Sequence, residues 1–283
     1  MQGRYLVAGA HGMLGTALQR VLAEQGAVCV APDERDFDIT DAAAVAQTVR
    51  RFADQGGGAL MNAAAYTNVE RAEDDAERAY AVNETGARLL AEAARAAGLA
   101  FVHVSTDFVF DGAKHGAYTE DDPPNPLSVY GASKLAGERG VAAAYPQSLI
   151  VRTAWVFGPG GTNFPEKILE RARTSAMLEV VTDEVGSPTY TIDLARGILA
   201  LLGSGESGLF HLAGAGACSR YELACEVLRA AGMDREVRPV LSAEFPSRAP
   251  RPHNSVLDCS KAVALGVVMP PWQDAVRRYI ATV

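Results

Sequence analysis

Short apolar runs alternate with Ala-, Leu- and Glu-rich segments of helical periodicity along the first 155 residues. The apolar runs predict strands, at residues 5–8, 28–31, 59–61, 101–104 and 149–151. The amphipathic segments predict helices, at residues 13–25, 41–53, 75–97 and 130–144. Strands that are apolar on both faces and separated by helices favour a parallel sheet covered on both sides.

The regularity weakens after residue 155, where Gly158-Pro159-Gly160-Gly161 ends any strand. Further elements are predicted as helices at 164–175, 191–202 and 219–231 and as strands at 178–182 and 209–212, with a loop at 241–258. We therefore predict an α/β fold, a Rossmann-type doubly wound parallel sheet with a smaller C-terminal substrate-binding lobe. The dinucleotide-binding domain is expected at 1–158, rejoined by about 189–211, and the lobe at 159–188 and 212–283.

Composition narrows the class of protein. The chain of 283 residues is 48% hydrophobic, with 26 Lys and Arg against 34 Asp and Glu, a net charge of −8. A chain this acidic lacks the excess of basic residues with which a general nucleic-acid binder contacts phosphates. The four cysteines and five histidines show no metal-ligand spacing, so no metal site is expected. Without a signal peptide or an apolar run of about 20 residues, a cytoplasmic protein with no membrane partner is expected.

A glycine-rich turn follows the first strand. Its glycines, Gly9, Gly12 and Gly15, are spaced G-x-x-G-x-x-G immediately before a helix. Glycines at such a turn let the backbone approach a pyrophosphate, and the helix N-terminus supplies N–H donors. We therefore predict a nicotinamide dinucleotide, NADPH or NADH, bound at this turn, which also contains His11, Met13 and Leu14.

The end of the second strand bears on the choice of cofactor. Asp33 lies where an acidic residue accepts hydrogen bonds from the adenosine ribose hydroxyls, whereas Arg35 lies where a guanidinium meets a 2′-phosphate. The two residues point to different cofactors, and the sequence leaves NADH and NADPH both open.

A second constellation surrounds the fourth strand. Thr106 follows that strand, so its side chain belongs at the carboxyl end of the sheet, where such sheets bind ligands. Tyr130 and Lys134 open a predicted helix at a spacing of four, which places them on one face. An adjacent ammonium stabilises a phenolate, so we expect Lys134 to lower the pKa of Tyr130.

Together these residues resemble the extended branch of the short-chain dehydrogenase/reductase superfamily. Further motifs resemble the dTDP-4-dehydrorhamnose reductase family. They are Asn62 to Thr67, Val69 to Glu73, Ser105 to Gly112, Pro126-Leu127, Val129 to Glu138, Arg152 to Phe157, Asn163-Phe164, Asp183, Gly186 to Thr189, Arg251-Pro252, Asn254-Ser255 and Leu257. The resemblance therefore covers nearly the whole chain.

The resemblance implies NAD(P)H-dependent reduction of the C4 keto group of a 4-keto-6-deoxy nucleotide sugar. It implies a catalytic set of Thr106, Tyr130 and Lys134. It further implies that Gly9, Gly12, Gly15, Ala63 and Ala64 line the dinucleotide and that Val69, Trp155 and Asn163 face the sugar nucleotide. The full set of predicted cofactor residues is Gly9, His11, Gly12, Met13, Leu14, Gly15, Asp33, Arg35, Asp38, Ile39, Ala63, Ala64, Ala65, Tyr130 and Lys134. The full set of predicted substrate residues is Val69, Thr106, Phe108, Tyr130, Trp155, Asn163 and Arg251.

Two positions depart from the family pattern. The family often has Tyr at position 108 and His at position 66, where this chain has Phe108 and Tyr66. Both departures bear on the identity of the sugar more than on the reaction type. The expected partner is thus a small nucleotide sugar, bound by a monomer or homodimer.

Two alternatives share the same motifs. A nucleotide-sugar epimerase or dehydratase would keep its NAD bound through turnover, without net consumption. A non-catalytic module is the second, because the regulatory subunit of animal methionine adenosyltransferase resembles the same family. An intact Thr106, Tyr130 and Lys134 favours an active enzyme.

Overall fold

A computed structural model describes residues 3–245 and 247–283. Its strands, in chain order, are β1 (Arg4–Ala8), β2 (Val28–Val30), β3 (Ala59–Asn62), β4 (Ala100–Thr106), β5 (Leu149–Thr153), β6 (Val156–Phe157), β7 (Met177–Val181), β8 (Val185–Gly186), β9 (Thr189–Tyr190), β10 (Gly208–His211), β11 (Cys218–Ser219) and β12 (Glu236–Val240). Its α-helices are α1 (Met13–Glu24), α2 (Ala42–Asp54), α3 (Val69–Ala72), α4 (Ala76–Tyr80), α5 (Ala87–Ala96), α6 (Val129–Ala144), α7 (Phe164–Thr174), α8 (Thr191–Gly203), α9 (Arg220–Ala230), α10 (Ser260–Ala264) and α11 (Trp272–Ile280).

Six strands form one parallel sheet in the order β10-β5-β4-β3-β1-β2. The central parts of its strands are mostly apolar, and Leu6, Val7, Leu60 and Val102 are 0% exposed. Such strands need helices on both faces, and the predicted α/β class with a doubly wound parallel sheet is confirmed. The strand order reverses direction between β1 and β3, and ligands of open sheets bind beyond the carboxyl ends of strands at such a switch point.

Two layers of helices cover the sheet. Helices α1 and α8 pack together over one face, and α2, α5 and α6 pack over the other. Helix α2 begins at Asp41, whose carboxylate accepts hydrogen bonds from the amides of Ala43 and Ala44, as its position in the sequence predicts. The layers leave the carboxyl edge of the sheet open for a ligand.

The helix predicted over 75–97 is not a single regular α-helix. A π-helical turn, Ala81–Gly86, separates α4 from α5. Asn83 in this turn is 1% exposed, and its side chain hydrogen-bonds elements outside the helix. Such π-helical turns occur frequently at functional sites. The prediction missed the turn because apolar periodicity does not register one inserted residue.

The C-terminal elements form a smaller layer around α7, α9 and α11. Its short elements β8, β11 and α10 and the longer β12 and α11 are not in the sequence prediction. Strand β12 has mostly exposed residues and contains Pro239, and its pairing with β7 comes from tertiary structure rather than from an apolar run. Sheet strand β10 lies after β9 and α8, in the segment expected to rejoin the dinucleotide-binding domain, but the exact domain boundaries remain a prediction.

In the ranges 3–245 and 247–283, no helix is long and apolar enough to cross a membrane.

Candidate active site

A cavity of about 990 Å³ opens along the carboxyl edge of the sheet. All of the site residues predicted from the sequence line it except Gly15, Asp33 and Arg35. The fold thus gathers residues that lie up to 242 positions apart along the chain, from Gly9 after β1 to Arg251 in the C-terminal part. A cavity of this size matches those that take cofactors and drug-sized ligands.

The glycine turn brings β1 close to the segment after β3. Gly9 has φ +75°, and a Cβ on it would collide with the backbone of Ala64. A Cβ on Gly15 would collide with the Gly9 carbonyl, so Gly15 serves the packing of α1 against the turn and not the cavity wall. Both glycines are therefore required by the protein's own packing.

Gly12 differs from the other two glycines. Its φ of −75° suits any residue, and a Cβ on it would come no nearer than 3.5 Å to its nearest described neighbour, the Gly9 carbonyl. Gly12 lines the cavity at the N-terminus of α1, where free amides favour an anionic group. The missing side chain therefore leaves room for a ligand, and the turn fits the pyrophosphate of a dinucleotide.

The end of β2 presents a different residue from those expected. Pro32, Glu34 and Asp38 line the cavity, whereas Asp33 and Arg35 do not. The Asp33 carboxylate lies 3.5 Å from His11 Nε2 and accepts a hydrogen bond from the Arg35 amide (2.9 Å). Arg35 is exposed, and its guanidinium lies 4.0 Å from Asp33. The predicted loop thus borders the cavity, but Glu34 is the acidic side chain of residues 33–35 that lines it.

Thr106 is nearly buried at the end of β4. Its hydroxyl donates to Asp107 Oδ1 (3.0 Å) and accepts a hydrogen bond from the Phe108 amide (3.2 Å). Burial raises the pKa of Asp107 to about 6, offset in part by hydrogen bonds and by Arg220. Asp107 also lines the cavity and was not predicted, although it adjoins Thr106 in the sequence. The hydroxyl of Thr106 is thereby held at a defined position beside the cavity.

Tyr130 and Lys134 share one face of α6, as their spacing predicts, but the expected lowering of the Tyr130 pKa is wrong for this structure. Burial raises the pKa of Tyr130 to about 12, with the neighbouring Thr106 hydroxyl acting in the opposite direction. The Lys134 ammonium donates to the Val104 carbonyl (2.6 Å), and burial lowers the pKa of Lys134 to about 8. Desolvation disfavours the charged form of both groups and outweighs their proximity.

Close packing places α6 at this edge. A Cβ on Gly131 would collide with the Phe108 carbonyl, and a Cβ on Gly137 would collide with the Asn83 carbonyl. The Asn83 amide also donates to Ser133 Oγ (2.9 Å), and its oxygen accepts from the Tyr66 amide (2.8 Å). The π-helical turn therefore ties α6 to the segment after β3. The poor helix formers Asn83 and Gly86 inside an Ala-rich segment are the signal in the sequence.

Trp155 is the one non-glycine residue with positive φ (46°) in the described part of the chain. The guanidinium of Arg220 stacks 3.4 Å from the centroid of its ring and lies 3.7 Å from Glu184. A sugar that stacked on this face of Trp155 would have to displace Arg220. Burial lowers the pKa of Arg220 to about 10. No motif in the sequence brings Arg220 to this position, and it was not predicted.

The remaining predicted substrate residues differ in what they offer. Asn163 lines the cavity, but its amide already bonds the Gly158 carbonyl, the Tyr279 hydroxyl and the Glu166 amide at the start of α7. Arg251 donates to Glu70 (2.7 Å), and its buried Nε has no partner among the described residues. Phe108 and Val69 add apolar surface, and Phe108 lies edge-on to Tyr130 with ring centroids 5.6 Å apart.

A buried Thr and Lys with a partly buried Tyr lie at the carboxyl edge of a parallel sheet, beside a glycine turn with room for a pyrophosphate. This arrangement defines an oxidoreductase fold of the short-chain dehydrogenase/reductase type. The chain belongs to the family described as the RmlD substrate binding domain, whose model matches residues 3–283. The family membership expected from the motifs is thereby confirmed.

Three similar proteins illustrate the relationship. The dTDP-4-dehydrorhamnose reductase of Mycolicibacterium smegmatis is 40% identical, over 100% of this chain and 86% of its own length. The dTDP-4-dehydrorhamnose reductase structure from Clostridium acetobutylicum is 38% identical with a TM-score of 0.93, covering 99% of both chains. The Bacillus anthracis enzyme of the same name, solved in complex with NADP, is 34% identical with a TM-score of 0.95, covering 100% of both chains.

The contrast between Gly12 and Gly15 gives a test of the dinucleotide site. We expect Gly12→Ala to weaken binding of NADPH and NADH at least tenfold, because its methyl group enters the space for the pyrophosphate. Its effect on the free energy of unfolding should be about 1 kcal/mol or less, the scale of an N-cap change. Fluorescence titration of the reduced cofactor and denaturant unfolding measure the two effects.

Gly15→Ala is the matched control, since its methyl group would strike the Gly9 carbonyl. We expect it to lower the free energy of unfolding by more than Gly12→Ala does. Unchanged cofactor affinity in a folded Gly12→Ala protein would contradict the assignment of the turn.

The loop after β2 gives a second test. If Glu34 and not Asp33 accepts the ribose hydroxyls, Glu34→Ala should weaken NADH binding by roughly 1.5–3 kcal/mol, as expected for hydrogen bonds to a charged group. Asp33→Ala should have a smaller effect, and Arg35→Ala should weaken NADPH alone if its guanidinium swings to the 2′-phosphate. Dissociation constants of the three variants for both cofactors check this. Equal losses for both cofactors in every variant would show that the loop does not discriminate at the 2′ position.

Proposed function

We propose that this protein reduces the C4 keto group of a 4-keto-6-deoxy nucleotide sugar with NADH or NADPH, the reaction type of a dTDP-4-dehydrorhamnose reductase. The observation that carries the proposal is the placement of Tyr130 and the buried Lys134 on one face of α6, beside the cavity at the edge of the sheet where Thr106 ends β4. The relatives that are dTDP-4-dehydrorhamnose reductases support this reaction.

The cofactor would lie along the glycine turn and the carboxyl ends of β1 and β3. Residues of the turn from Gly9 to Leu14 and the segment Ala63 to Ala65 would hold it, and Lys134 would hold its nicotinamide ribose. When bound, the reduced nicotinamide supplies the hydride that goes to the carbonyl carbon. The chain itself would orient the sugar, exclude water and donate a proton to the C4 oxygen.

Tyr130 acts as the general acid. Because its pKa is raised to about 12, the phenol keeps its proton at neutral pH until an alkoxide forms on the sugar. The O–H bond of Tyr130 then breaks, and the proton goes to the C4 oxygen. The hydroxyl of Thr106 donates a hydrogen bond to the same oxygen as charge develops on it, having exchanged its partner Asp107 for the substrate.

Lys134 stabilises the phenolate that Tyr130 leaves behind. This role needs the ammonium form, whose pKa is lowered to about 8 by burial. The contribution is therefore present below that pH and falls as the pH rises through it. A phosphate-bearing cofactor beside Lys134 would favour the ammonium further, because an opposite charge raises the pKa of an amine.

The nucleotide end of the substrate would meet the two guanidinium groups, Arg220 and Arg251. Both line the cavity, and the charge of Arg251 helps to lower the pKa of Arg220. A diphosphate between them would relieve this repulsion, and a guanidinium fork matches phosphate oxygens. Binding energy from the nucleotide would then position the distant C4 atom.

The oligomeric state and the location of the protein, a monomer or homodimer in the cytoplasm, remain predictions from the sequence.

The proposal is tested by following NADH and NADPH oxidation against a panel of 4-keto-6-deoxy nucleotide sugars that differ in the base and in the hydroxyls of the sugar. We expect stoichiometric loss of reduced cofactor with at least one member. Tightly retained NAD without net consumption would instead indicate an epimerase or dehydratase. No turnover together with co-purification of a methionine adenosyltransferase would indicate a regulatory module.

Tyr130→Phe tests the role of the general acid. The variant keeps the ring and its contact with Phe108 but removes the transferable proton, so we expect turnover to fall by at least roughly 10²–10⁴-fold. Cofactor affinity should change less than threefold. Steady-state kinetics and cofactor titration measure the two effects, and activity above a tenth of the unmodified protein would contradict the assignment.

A further inference from the structure

A buried ion pair, Glu138 with Arg152, lies one helical turn beyond Lys134 on α6. The Arg152 Nε and Nη2 groups donate to the two carboxylate oxygens of Glu138 at 2.8 and 2.7 Å. The side chains are 3% and 7% exposed. Burying two charges in this way carries a desolvation penalty that often equals or exceeds the attraction between them. A pair of apolar residues would fill the same space at no such cost, so the stability of the fold does not by itself account for this pair.

The position of the pair relates it to Lys134. Glu138 follows Lys134 by one helical turn, and residues four apart on a helix have Cβ atoms about 5–6 Å apart. Arg152 lies on β5, paired in register with Ser105, and the next pair in the register is Thr153 with Thr106. The ion pair therefore connects α6, which carries Tyr130 and Lys134, to β5, the strand that pairs with the Thr106 end of β4.

Several charged or titratable groups surround Lys134. They are Tyr130 and Glu138 on α6, His103 on β4, Arg152 on β5 and Asp107 after β4. His103 is fully buried, and burial together with the charge of Lys134 holds its pKa well below the usual value, so it carries no charge at neutral pH. Glu138 is the neighbour whose charge raises the pKa of Lys134. Its carboxylate thus opposes the desolvation of the ammonium.

We propose that Glu138, fixed in place by Arg152, is a positioning residue that keeps the Lys134 ammonium charged in its dry site and thereby sets the upper pH limit of catalysis. The inference rests on the role of Lys134 in the proposed function. The bidentate fork of Arg152 holds the carboxylate against rotation, while the Val104 carbonyl fixes the ammonium from the strand side. Glu138 acts through Lys134 and does not itself touch the reacting atoms.

A merely structural role would have a different signature. If the pair only joined α6 to β5, its removal would lower stability and reduce activity by the same factor at every pH. If it sustains the charge of Lys134, its removal lowers the pKa of Lys134, and the loss of activity begins at a lower pH. The shape of the pH profile distinguishes the two.

The test is Glu138→Gln, which keeps the size of the side chain and an oxygen for Arg152 but removes the charge. We expect the basic limb of the kcat/KM profile to move to lower pH by about one unit, the lower end of the effect of a nearby opposite charge. At pH values well below the limb, activity should remain within threefold of the unmodified protein. Glu138→Asp, which keeps the charge but withdraws it, should give a smaller shift and serves if the Gln variant does not fold.

The matched control is Asp193→Asn. Asp193 accepts two hydrogen bonds from Arg278 (2.9 and 2.6 Å) in a second bidentate pair, which joins α8 to α11. This variant should lose comparable stability without moving the basic limb. Lys134→Met should abolish the limb, which identifies the group that titrates.

A second readout separates this inference from the proposed function. The pH dependence of reduced-cofactor binding, measured by fluorescence without any sugar, should show the same shift in Glu138→Gln. That titration stands even if no sugar in the panel is reduced. An unchanged limb and an unchanged binding titration in Glu138→Gln, or the same shift in Asp193→Asn, would overturn the inference.

Discussion

The close approach of α6 to the segment after β4 and to the π-helical turn is the constraint on which the site depends. Gly131 and Gly137 let the helix touch the carbonyls of Phe108 and Asn83, where any side chain would collide. This packing brings Tyr130 and Lys134 to the end of β4, where Lys134 is buried and Tyr130 is partly buried. Desolvation at this position raises the pKa of Tyr130 and lowers that of Lys134. The two packing contacts thus shape both the geometry and the pKa values of the candidate site.

The two pKa shifts suit reduction in particular. A phenol with a raised pKa does not ionise before the alkoxide forms, so Tyr130 is protonated when the proton is needed. A desolvated ammonium is stabilised by any negative charge that forms nearby, because an opposite charge raises its pKa. The structure therefore supports a sequence in which Lys134 responds to the phenolate after transfer, and does not create one beforehand, as the spacing of Tyr130 and Lys134 alone had suggested.

Much of this architecture follows from the sequence, because it is encoded locally. The apolar runs predict the sheet, and the glycine turn and the Tyr130–Lys134 spacing each act within a few residues. Other features depend on contacts between distant segments, namely the stacking of Arg220 on Trp155 and the hydrogen bond from Asn83 to Ser133. The presence of Glu34 rather than Asp33 at the cavity depends on the rotation of one loop. No periodicity records such contacts. The sequence also indicates which groups lie close together but not how strongly they are desolvated. Desolvation is the main cause of the raised pKa of Tyr130.

In the proposed reaction a hydride goes to C4 of a nucleotide sugar while Tyr130 supplies the proton. The most direct measurement follows a deuterium atom from reduced cofactor labelled at its transferable position, with the sugar product analysed by mass spectrometry and NMR. The account predicts one deuterium on C4 for each cofactor consumed, on a single face, with solvent hydrogen on the new hydroxyl. A product without deuterium, or deuterium at another carbon, would contradict it.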